Sequence, residues 1–106
     1  LLDEAELCAY LLECWGDWPD MLTTRQASEL CGYSVNALNR WWNLGQIQGV
    51  KYRNELRYSK ESLACWLASA KGQAIAVPSQ QHKEWMKEFR PEKWNSGMEP
   101  NSMPLL

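Results

Sequence analysis

The feature that most constrains the fold is a pair of short helices that follow each other with almost no intervening chain. In "LTTRQASELCGYSVNALNRWWNLG", Thr23 can cap the first helix, and Gln26, three residues later, completes a capping box. Gly32 suits the left-handed position just beyond the end of that helix. Ser34 caps the second helix, and Gly45 stops it. Two helices joined by so short a glycine-containing turn predict a helix-turn-helix.

The second of these helices has two chemically distinct faces. At about 3.6 residues per turn, successive side chains are roughly 100° apart. One face then carries three amides and one guanidinium, and the opposite face is apolar. The polar face contains no Asp or Glu, which is unusual. Its members are Asn36, Asn39, Arg40 and Asn43, and those of the apolar face are Val35, Leu38, Trp41 and Trp42.

After the second helix the hydrophobic period changes from about 3.6 to about 2 residues. In "QGVKYRNELRYS", apolar positions alternate with cationic ones, and this alternation predicts a β-hairpin. We place its loop at Arg53-Asn54-Glu55, which sets Lys51 opposite Arg57 on the exposed face. Like charges directly opposite each other are unfavourable. A bound anion would remove that penalty.

Three further helices frame this unit. "DEAELCAYLLECW" repeats apolar residues at three- and four-residue steps, and Gly16 stops it. "YSKESLACWLASAKG" is capped by Ser59 and ends at Lys71 and Gly72. "SQQHKEWMKEFR" predicts a last helix, before a Pro-, Asn- and Ser-rich tail that we expect to be flexible.

These elements predict a mainly α fold with a small β-hairpin wing. The expected architecture is a winged helix-turn-helix with extra N-terminal and C-terminal helices. Residues 1–20 would form an acidic amphipathic helix, and residues 21–72 the winged helix-turn-helix. Residues 73–106 would comprise a linker, the C-terminal helix and the flexible tail.

Charge is segregated along the chain, although the net charge of the whole is only −2. Residues 1–20 contain six acidic and no basic residues, a net charge of −6. Residues 21–72 contain seven Lys and Arg against three Glu, a net charge of +4, and residues 73–106 are balanced. The overall value argues against a generally basic nucleic-acid binder, but the basic middle segment does not.

The four cysteines and the one histidine are not in a metal-binding arrangement. Cys8, Cys14, Cys31 and Cys65 form no CxxC pair, so we expect reduced, mostly buried thiols and regard a disulfide framework as a poorly motivated alternative. His82 has no second histidine, cysteine or acid as an obvious partner, and we expect it at the surface. No nucleophile elbow or Gly-rich phosphate loop is present. We therefore expect no enzyme, no cofactor and no metal site.

Seven tryptophans are distributed over the chain. Trp41, Trp42 and Trp66 lie at core-facing positions of predicted helices, and we expect them to pack inside. Trp85 and Trp94 lie outside the winged helix-turn-helix. Either they cover its core or they form an interface.

The polar face of the second helix matches what the reading of base edges requires. Asn can pair bidentately with adenine, and Arg with guanine, in a major groove that admits one α-helix. Hairpin cations would supply phosphate or minor-groove contacts, and the first turn of the preceding helix offers groups that bind a phosphate. Each element alone is typical of solvated surface, but their convergence favours sequence-specific double-stranded DNA binding. The candidates are Asn36, Asn39, Arg40 and Asn43 for bases, and Thr24, Arg25, Lys51, Arg53 and Arg57 for the backbone and wing contacts.

Residues 22–67, "LTTRQASELCGYSVNALNRWWNLGQIQGVKYRNELRYSKESLACWL", resemble the DNA-binding domain of the excisionase and MerR-type winged-helix family. "LTTRQASELCGYS" is similar to the opening helix and turn of that family, "NALNRWWNLGQI" to its recognition helix, and "LRYSKESLACWL" to the return strand of the wing with the next helix. The resemblance implies major-groove reading by the second helix and wing contacts by Arg53 and Arg57. The Trp41-Trp42 pair, the acidic leading helix and the tail depart from the pattern.

The expected role is that of a transcription regulator or an excisionase-like architectural factor, in the bacterial or phage-type nucleoid of the cytoplasm. One alternative is a protein-interaction module on the same fold, in which the acidic residues 1–20 bind a basic partner or mask the basic face. Another is the DNA-targeting domain of a larger recombination or replication protein. A homodimer or cooperative assembly would use the N-terminal helix or residues 80–90. No membrane association is expected, because no apolar run approaches the roughly 18 residues of a membrane span.

Overall fold

Each helix of the computed structural model, which describes residues 1–89, starts at a side chain that accepts a backbone hydrogen bond. These N-caps are Asp3, Thr23, Ser34, Ser59, Ser69 and Ser79. The described elements are α1 (Glu4–Cys14), β1 (Met21–Thr23), α2 (Thr24–Cys31), α3 (Val35–Asn43), β2 (Gly49–Tyr52), β3 (Glu55–Ser59), α4 (Lys60–Ala68), α5 (Ala70–Gln73) and α6 (Gln80–Glu88). The chain is mainly helical with a small antiparallel sheet, which is compatible with a helix-turn-helix and a wing.

The signals that define the helix pair are confirmed. Thr23 and Gln26 form the complete capping box at the start of α2. Gly32 ends that helix with a φ of 77°, in the left-handed region that glycine tolerates best. Ser34 caps α3, and Gly45 follows it with a φ of 75°. Strong local hydrogen-bonding preferences therefore fix both helices and the turn between them.

The sheet has three strands in the order β1-β3-β2, so β3 lies in the centre. Strand β1 was not predicted, because three residues carry no alternation of their own. It forms by pairing with β3, with Leu22 opposite Tyr58 and Thr23 opposite Arg57. Strand β1 therefore links the start of α2 directly to the wing.

The predicted hairpin exists, but its loop and register were wrong. The turn contains only Arg53 and Asn54, whose φ angles of 51° and 67° are typical of a two-residue type I′ turn. Glu55 belongs to β3. Lys51 consequently lies opposite Leu56, and Arg57 lies opposite Val50. Because pairs alternate between the two faces of a sheet, Lys51 and Arg57 point to opposite sides and no like-charge pair exists between them.

The predicted end of the fourth helix at Lys71 and Gly72 was also wrong. Helix α4 ends at Ala68, and the Ser69 side chain caps the separate short helix α5. Gly72 is needed there because a Cβ at this position would collide with the carbonyl oxygens of Trp66 and Leu67. A serine that looks like a helix-interior residue in sequence thus becomes a helix start.

Helix α1 is part of the same hydrophobic core as the helix-turn-helix. Leu7, Leu11 and Trp15 are buried, and α1 makes its largest contact with α4. Lys60 at the start of α4 is also buried, and its Nζ donates to the carbonyl oxygens of Trp15 at 3.2 Å and Trp18 at 2.7 Å. The acidic segment is therefore fastened to the rest of the molecule at its C-terminal end.

Helix α6 corrects the expectation for His82, which is fully buried rather than at the surface. Its Nε2 lies 3.1 Å from the carbonyl oxygen of Leu67 and its Nδ1 lies 2.6 Å from the Tyr33 hydroxyl. A carbonyl only accepts, so Nε2 carries the proton and Nδ1 accepts from Tyr33. Burial lowers the pKa of His82 below its ordinary value of 6.5. The imidazole is a neutral link between α4, α6 and the turn of the helix pair.

The tryptophans mostly follow the expected pattern. Trp41 is buried, and Trp42 and Trp66 are half-buried against the core. Trp85 covers the core, with its ring in edge contact with Trp15 at 5.3 Å. Trp94 and the tail predicted to be flexible lie outside the described residues.

Two other apolar expectations need correction. Val35, assigned to the inward face, is 43% exposed because it occupies the first position of α3. Of the four cysteines only Cys31 is buried, whereas Cys14 and Cys65 are exposed and Cys8 is half-buried. Within residues 1–89, no helix is long and apolar enough to cross a membrane.

Candidate nucleic-acid interface

The outer face of α3 presents polar side chains over its whole length. Asn36, Arg40 and Asn43 are exposed, while Leu38 and Trp41 on the opposite side are buried. No acidic residue occurs in α3. The helix therefore shows solvent a surface of hydrogen-bond donors and acceptors whose only formal charge is positive.

Aromatic rings fix the rotation of α3 about its axis. The Trp41 ring lies 5.1 Å from the Tyr33 ring in edge contact and 5.6 Å from the Trp66 ring of α4. Rings of this size in edge contact contribute about 0.5–1.5 kcal/mol per pair beyond the burial of their surface. A helix anchored on two sides in this way holds its opposite face in one orientation.

Asn39 differs from the other polar residues of α3, because it is half-buried and already engaged. Its Oδ1 accepts a hydrogen bond of 2.7 Å from the hydroxyl of Tyr58, whose side chain is fully buried. Burial raises the pKa of Tyr58, and a hydrogen bond with the Thr24 side chain opposes that shift. The Tyr58 hydroxyl thus joins the first turn of α2, the middle of α3 and the central strand of the sheet.

The wing, defined as the β2–β3 hairpin, presents its cations unequally. Lys51 and Arg53 are exposed, and no ion pair to either is formed within residues 1–89. The Arg53 guanidinium lies over the Tyr52 ring, 5.3 Å from its centroid. Arg57 is instead paired with Glu55 at 3.0 Å. Two of the three predicted wing cations are therefore available without breaking an ion pair.

The two predicted phosphate-binding residues of α2 also differ. Thr24 is half-buried beside Tyr58. Arg25 projects into solvent and makes a long ion pair of 3.8 Å with Glu29, one helical turn further on. Exposed pairs of this kind contribute only about 0.2–1 kcal/mol. Arg25 can exchange this partner for a phosphate at little cost.

Arg40 lies beside an open cleft of about 420 Å³ between α3 and residues 75–77. The cleft is otherwise lined by Tyr33, Ala37 and Trp41 and by the three aliphatic residues of that segment. In the described part of the chain, Arg40 makes no ion pair. Its guanidinium is thus positioned at the rim of α3 without a competing carboxylate.

Sequence reasoning missed two exposed side chains and one buried one. Tyr52 is 66% exposed on the wing, next to Arg53, and Val35 is exposed at the start of α3. Because both are apolar, they were expected in the core, but Tyr52 is the last residue of β2 and Val35 the first residue of α3. Tyr58 was treated only as an apolar strand position. Its hydroxyl partner on α3 is 19 residues away, which no local pattern reveals.

The acidic residues 1–20 do not cover this surface in the described residues. The ion pair that this segment forms there joins the exposed Asp20 to Lys60 at the start of α4, at 3.8 Å. The apolar faces of α1 and α6 that were expected to support a dimer pack inside the molecule, through Leu11 and Trp15 of the first region and His82 and Trp85 of the second. The dimer stays a prediction.

Comparison of the chain with protein-family models, curated proteins and solved structures gives no significant match.

Proposed function

We propose that this protein binds double-stranded DNA sequence-specifically, with α3 in the major groove and the wing on the backbone or in the minor groove. It would act as a transcription regulator or as an excisionase-like architectural factor. The observation that carries the proposal is the outer face of α3, which presents Asn36, Arg40 and Asn43 without a carboxylate. Carboxylates are avoided where a helix approaches phosphates, whereas amides and guanidinium groups match base edges.

The exposed residues of α3 take distinct roles in this proposal. Arg40 donates bidentately to the O6 and N7 of a guanine. Asn36 and Asn43 retain both halves of their amides for an adenine, which requires one donor and one acceptor. Val35 supplies an apolar contact of the kind that recognises a thymine methyl group.

Asn39 takes a different role from its neighbours because its Oδ1 accepts a hydrogen bond from the hydroxyl of the buried Tyr58, which holds that half of the amide toward the inside of the protein. Its Nδ2 is left to donate, so the residue recognises an acceptor rather than the donor–acceptor pair of an adenine. A guanine, the O4 of a thymine or a phosphate oxygen provides such an acceptor. In this proposal Asn39 therefore donates one hydrogen bond to the DNA and does not recognise adenine bidentately.

Backbone contacts in this proposal come from both sides of α3. Lys51 and Arg53 bind phosphates or enter the minor groove, and Thr24 and Arg25 bind a phosphate at the start of α2. Arg57 joins them by exchanging Glu55 for a phosphate, since their exposed pair contributes only about 0.2–1 kcal/mol.

The decisive experiment is the selection of bound sequences from random duplex DNA at a stated salt concentration. We expect one sequence motif to be enriched. The affinity for that motif should fall with salt, and Lys51→Ala should reduce the slope of log K against log salt by about 1. Lys83→Ala, which removes an exposed cation from α6, is the matched control and should leave the slope unchanged. Absence of an enriched motif would refute sequence-specific recognition.

The role of Asn39 has its own test. Tyr58→Phe removes the hydroxyl while keeping the buried ring, so the Asn39 amide becomes free to present either half. We expect the base preference at one position of the selected motif to broaden or to shift toward adenine. An unchanged preference at every position would show that Asn39 does not contact a base.

The rival function, a protein-interaction module, requires a test adapted to the structure. Deleting residues 1–20 would remove Leu7, Leu11 and Trp15 from the core and unfold the domain. Replacing the exposed Glu4, Glu13 and Asp17 by Gln or Asn instead removes charge without touching the core. DNA binding that appears only in this variant would support masking. Absence of DNA binding in both proteins would favour the interaction module.

A further inference from the structure

A pair of thiols joins α1 to α4 at the surface of the molecule. The Sγ atoms of Cys8 and Cys65 are 2.8 Å apart. Non-bonded carbon atoms settle at roughly 3.5–4.0 Å, and sulfur is larger than carbon. The two sulfurs are thus already closer than an ordinary contact, and a disulfide of about 2 Å requires a movement of less than about 1 Å.

The pair is also accessible. It lies at an open groove of about 380 Å³ lined by Glu4, Ala5, Cys8, Ala9, Leu12 and Cys65. Cys65 is exposed and Cys8 is half-buried. The two small alanines leave room for a reagent to reach the sulfurs. This distinguishes the pair from Cys31, which is buried and whose thiol pKa is raised to about 11 by that burial.

We propose that Cys8 and Cys65 are a site of reversible oxidation and form an intramolecular disulfide that ties α1 to α4. The oxidant is a low-molecular-weight disulfide. Its S–S bond is attacked by the exposed Cys65 sulfur, which gives a mixed disulfide and releases one thiol. Cys8 then attacks the Cys65 sulfur and releases the second thiol. Two protein thiols are oxidised, one small disulfide is reduced, and both protons leave on the released thiols.

The surroundings of the two sulfurs fit this order of attack. Burial, together with the hydrogen bond to Cys65, raises the pKa of the Cys8 thiol to about 12. The Cys8 thiol therefore stays protonated as long as Cys65 has not reacted. Once Cys65 has become part of a mixed disulfide, its contribution to this shift is removed, although burial still raises the pKa of Cys8. The position of Cys8 directly beside the Cys65 sulfur then makes it the resolving thiol. Glu61 beside Cys8 would repel an anionic oxidant, so an uncharged one is the suitable probe.

The bond would restrain a long segment, because Cys8 and Cys65 are 57 positions apart. A cross-link over so long a loop lowers the entropy of the unfolded chain. We expect the Tm of the oxidised protein to rise by on the order of 10 °C. None of the residues assigned above to DNA contacts belongs to this pair, so the inference stands apart from the proposed function.

The test treats the folded protein with one molar equivalent of 2-hydroxyethyl disulfide, which suffices for one protein disulfide and leaves no excess to cap the exposed Cys14, and maps the product by mass spectrometry. We expect the mass to fall by two hydrogen atoms, the titratable thiols to decrease from the four of the sequence to two, and a peptide linked through Cys8 and Cys65. Dithiothreitol should restore the mass and the Tm.

Two matched variants locate the bond. Cys14→Ser removes an exposed thiol from the same helix and should leave the cross-link intact. Cys65→Ser should abolish both the cross-link and the rise in Tm, with circular dichroism confirming that the variant is folded. Four thiols remaining in the treated wild type, or linkage through Cys14 or between two molecules, would overturn the proposal. The mapping of the wild type decides this even if Cys65→Ser does not fold.

Discussion

The two sides of this molecule use similar residues for different purposes. On one side, which we call the packed side, α1, α4 and α6 cover the core, and even the polar groups Lys60 and His82 are buried and satisfied. On the other, the polar side, α3 and the wing leave amides, cations and a tyrosine exposed. The buried Lys60 and His82 side chains on the packed side have partners, whereas several polar groups facing solvent on the polar side have none among the described residues. Stability should therefore depend on the first side and recognition on the second.

The largest expected effect concerns the packed side alone. Leu11→Ala removes a fully buried side chain between α1 and α4 and should lower the free energy of unfolding by about 2–5 kcal/mol. Leu12→Ala, the same change at the half-buried neighbouring position, is the control and should have a smaller effect. Urea unfolding measures both. If the two variants lost equal stability, the distinction between buried and marginal positions of α1 would fail.

The next effect concerns the polar side alone. Arg40→Ala should reduce the affinity for the selected DNA sequence by about 1–3 kcal/mol and relax specificity at one base pair. It should leave the free energy of unfolding within about 0.5 kcal/mol of the wild type, because the side chain is exposed. Binding isotherms on matched and mismatched duplexes measure this. An equal loss on every duplex would assign Arg40 to the backbone instead.

The third prediction tests whether the two sides are coupled through pH. Since the pKa of His82 is lowered below 6.5 in the folded state, the unfolded chain binds the proton more readily. The contribution of His82 to the free energy of unfolding should be fully present above about pH 6.5. Below that pH the free energy of unfolding should fall by up to about 1.4 kcal/mol per pH unit, until the folded-state pKa is reached. Urea unfolding between pH 7.5 and 5, in roughly half-unit steps, measures the slope.

The chain contains one histidine, so His82→Gln is a clean control for this slope. The variant should be less stable at neutral pH because Tyr33 loses its acceptor, but it should lack the decrease between about pH 6.5 and 5. The same decrease in the variant would assign it to carboxylates. The Tyr33 ring touches Trp41 of α3, so DNA binding at low pH reports whether the packed side influences the polar side.

The smallest effect has opposite signs for stability and recognition. Arg53 has a φ of 51°, a left-handed conformation that costs a non-glycine residue about 1–2 kcal/mol. Arg53→Gly should therefore stabilise the protein by about 1 kcal/mol while weakening DNA binding. Asn54→Gly at the neighbouring turn position is the control that relieves strain without removing a charge. Stabilisation with undiminished DNA affinity would exclude Arg53 from the interface.

Features that depend on residues close together in the sequence could be predicted, whereas features that depend on residues far apart in the sequence could not. The capping box of Thr23 and Gln26 and the left-handed Gly32 are local, and the sequence was sufficient for them. The burial of His82 depends on Tyr33, 49 positions away, and could not be inferred locally. The turn was misread because Arg53 is not a residue that indicates positive φ.

The candidate site divides in the same way. The outward direction of Asn36 and Arg40 followed from helix periodicity. The engagement of Asn39 did not, because Tyr58 reaches it from a strand whose register had been placed incorrectly. Errors in pairing between strands therefore propagated into the expected chemistry of the neighbouring helix.

The buried ammonium of Lys60 carries a consequence for anyone who wishes to transplant this domain. The change in charge composition suggests a domain boundary near residue 20. The ammonium of Lys60, after that boundary, nevertheless donates hydrogen bonds to the carbonyl oxygens of Trp15 and Trp18, before it. A fusion protein that began at residue 21 would leave the buried Lys60 side chain without the two carbonyl oxygens that accept its hydrogen bonds. A transplanted segment should therefore keep Trp15 and Trp18 together with α4.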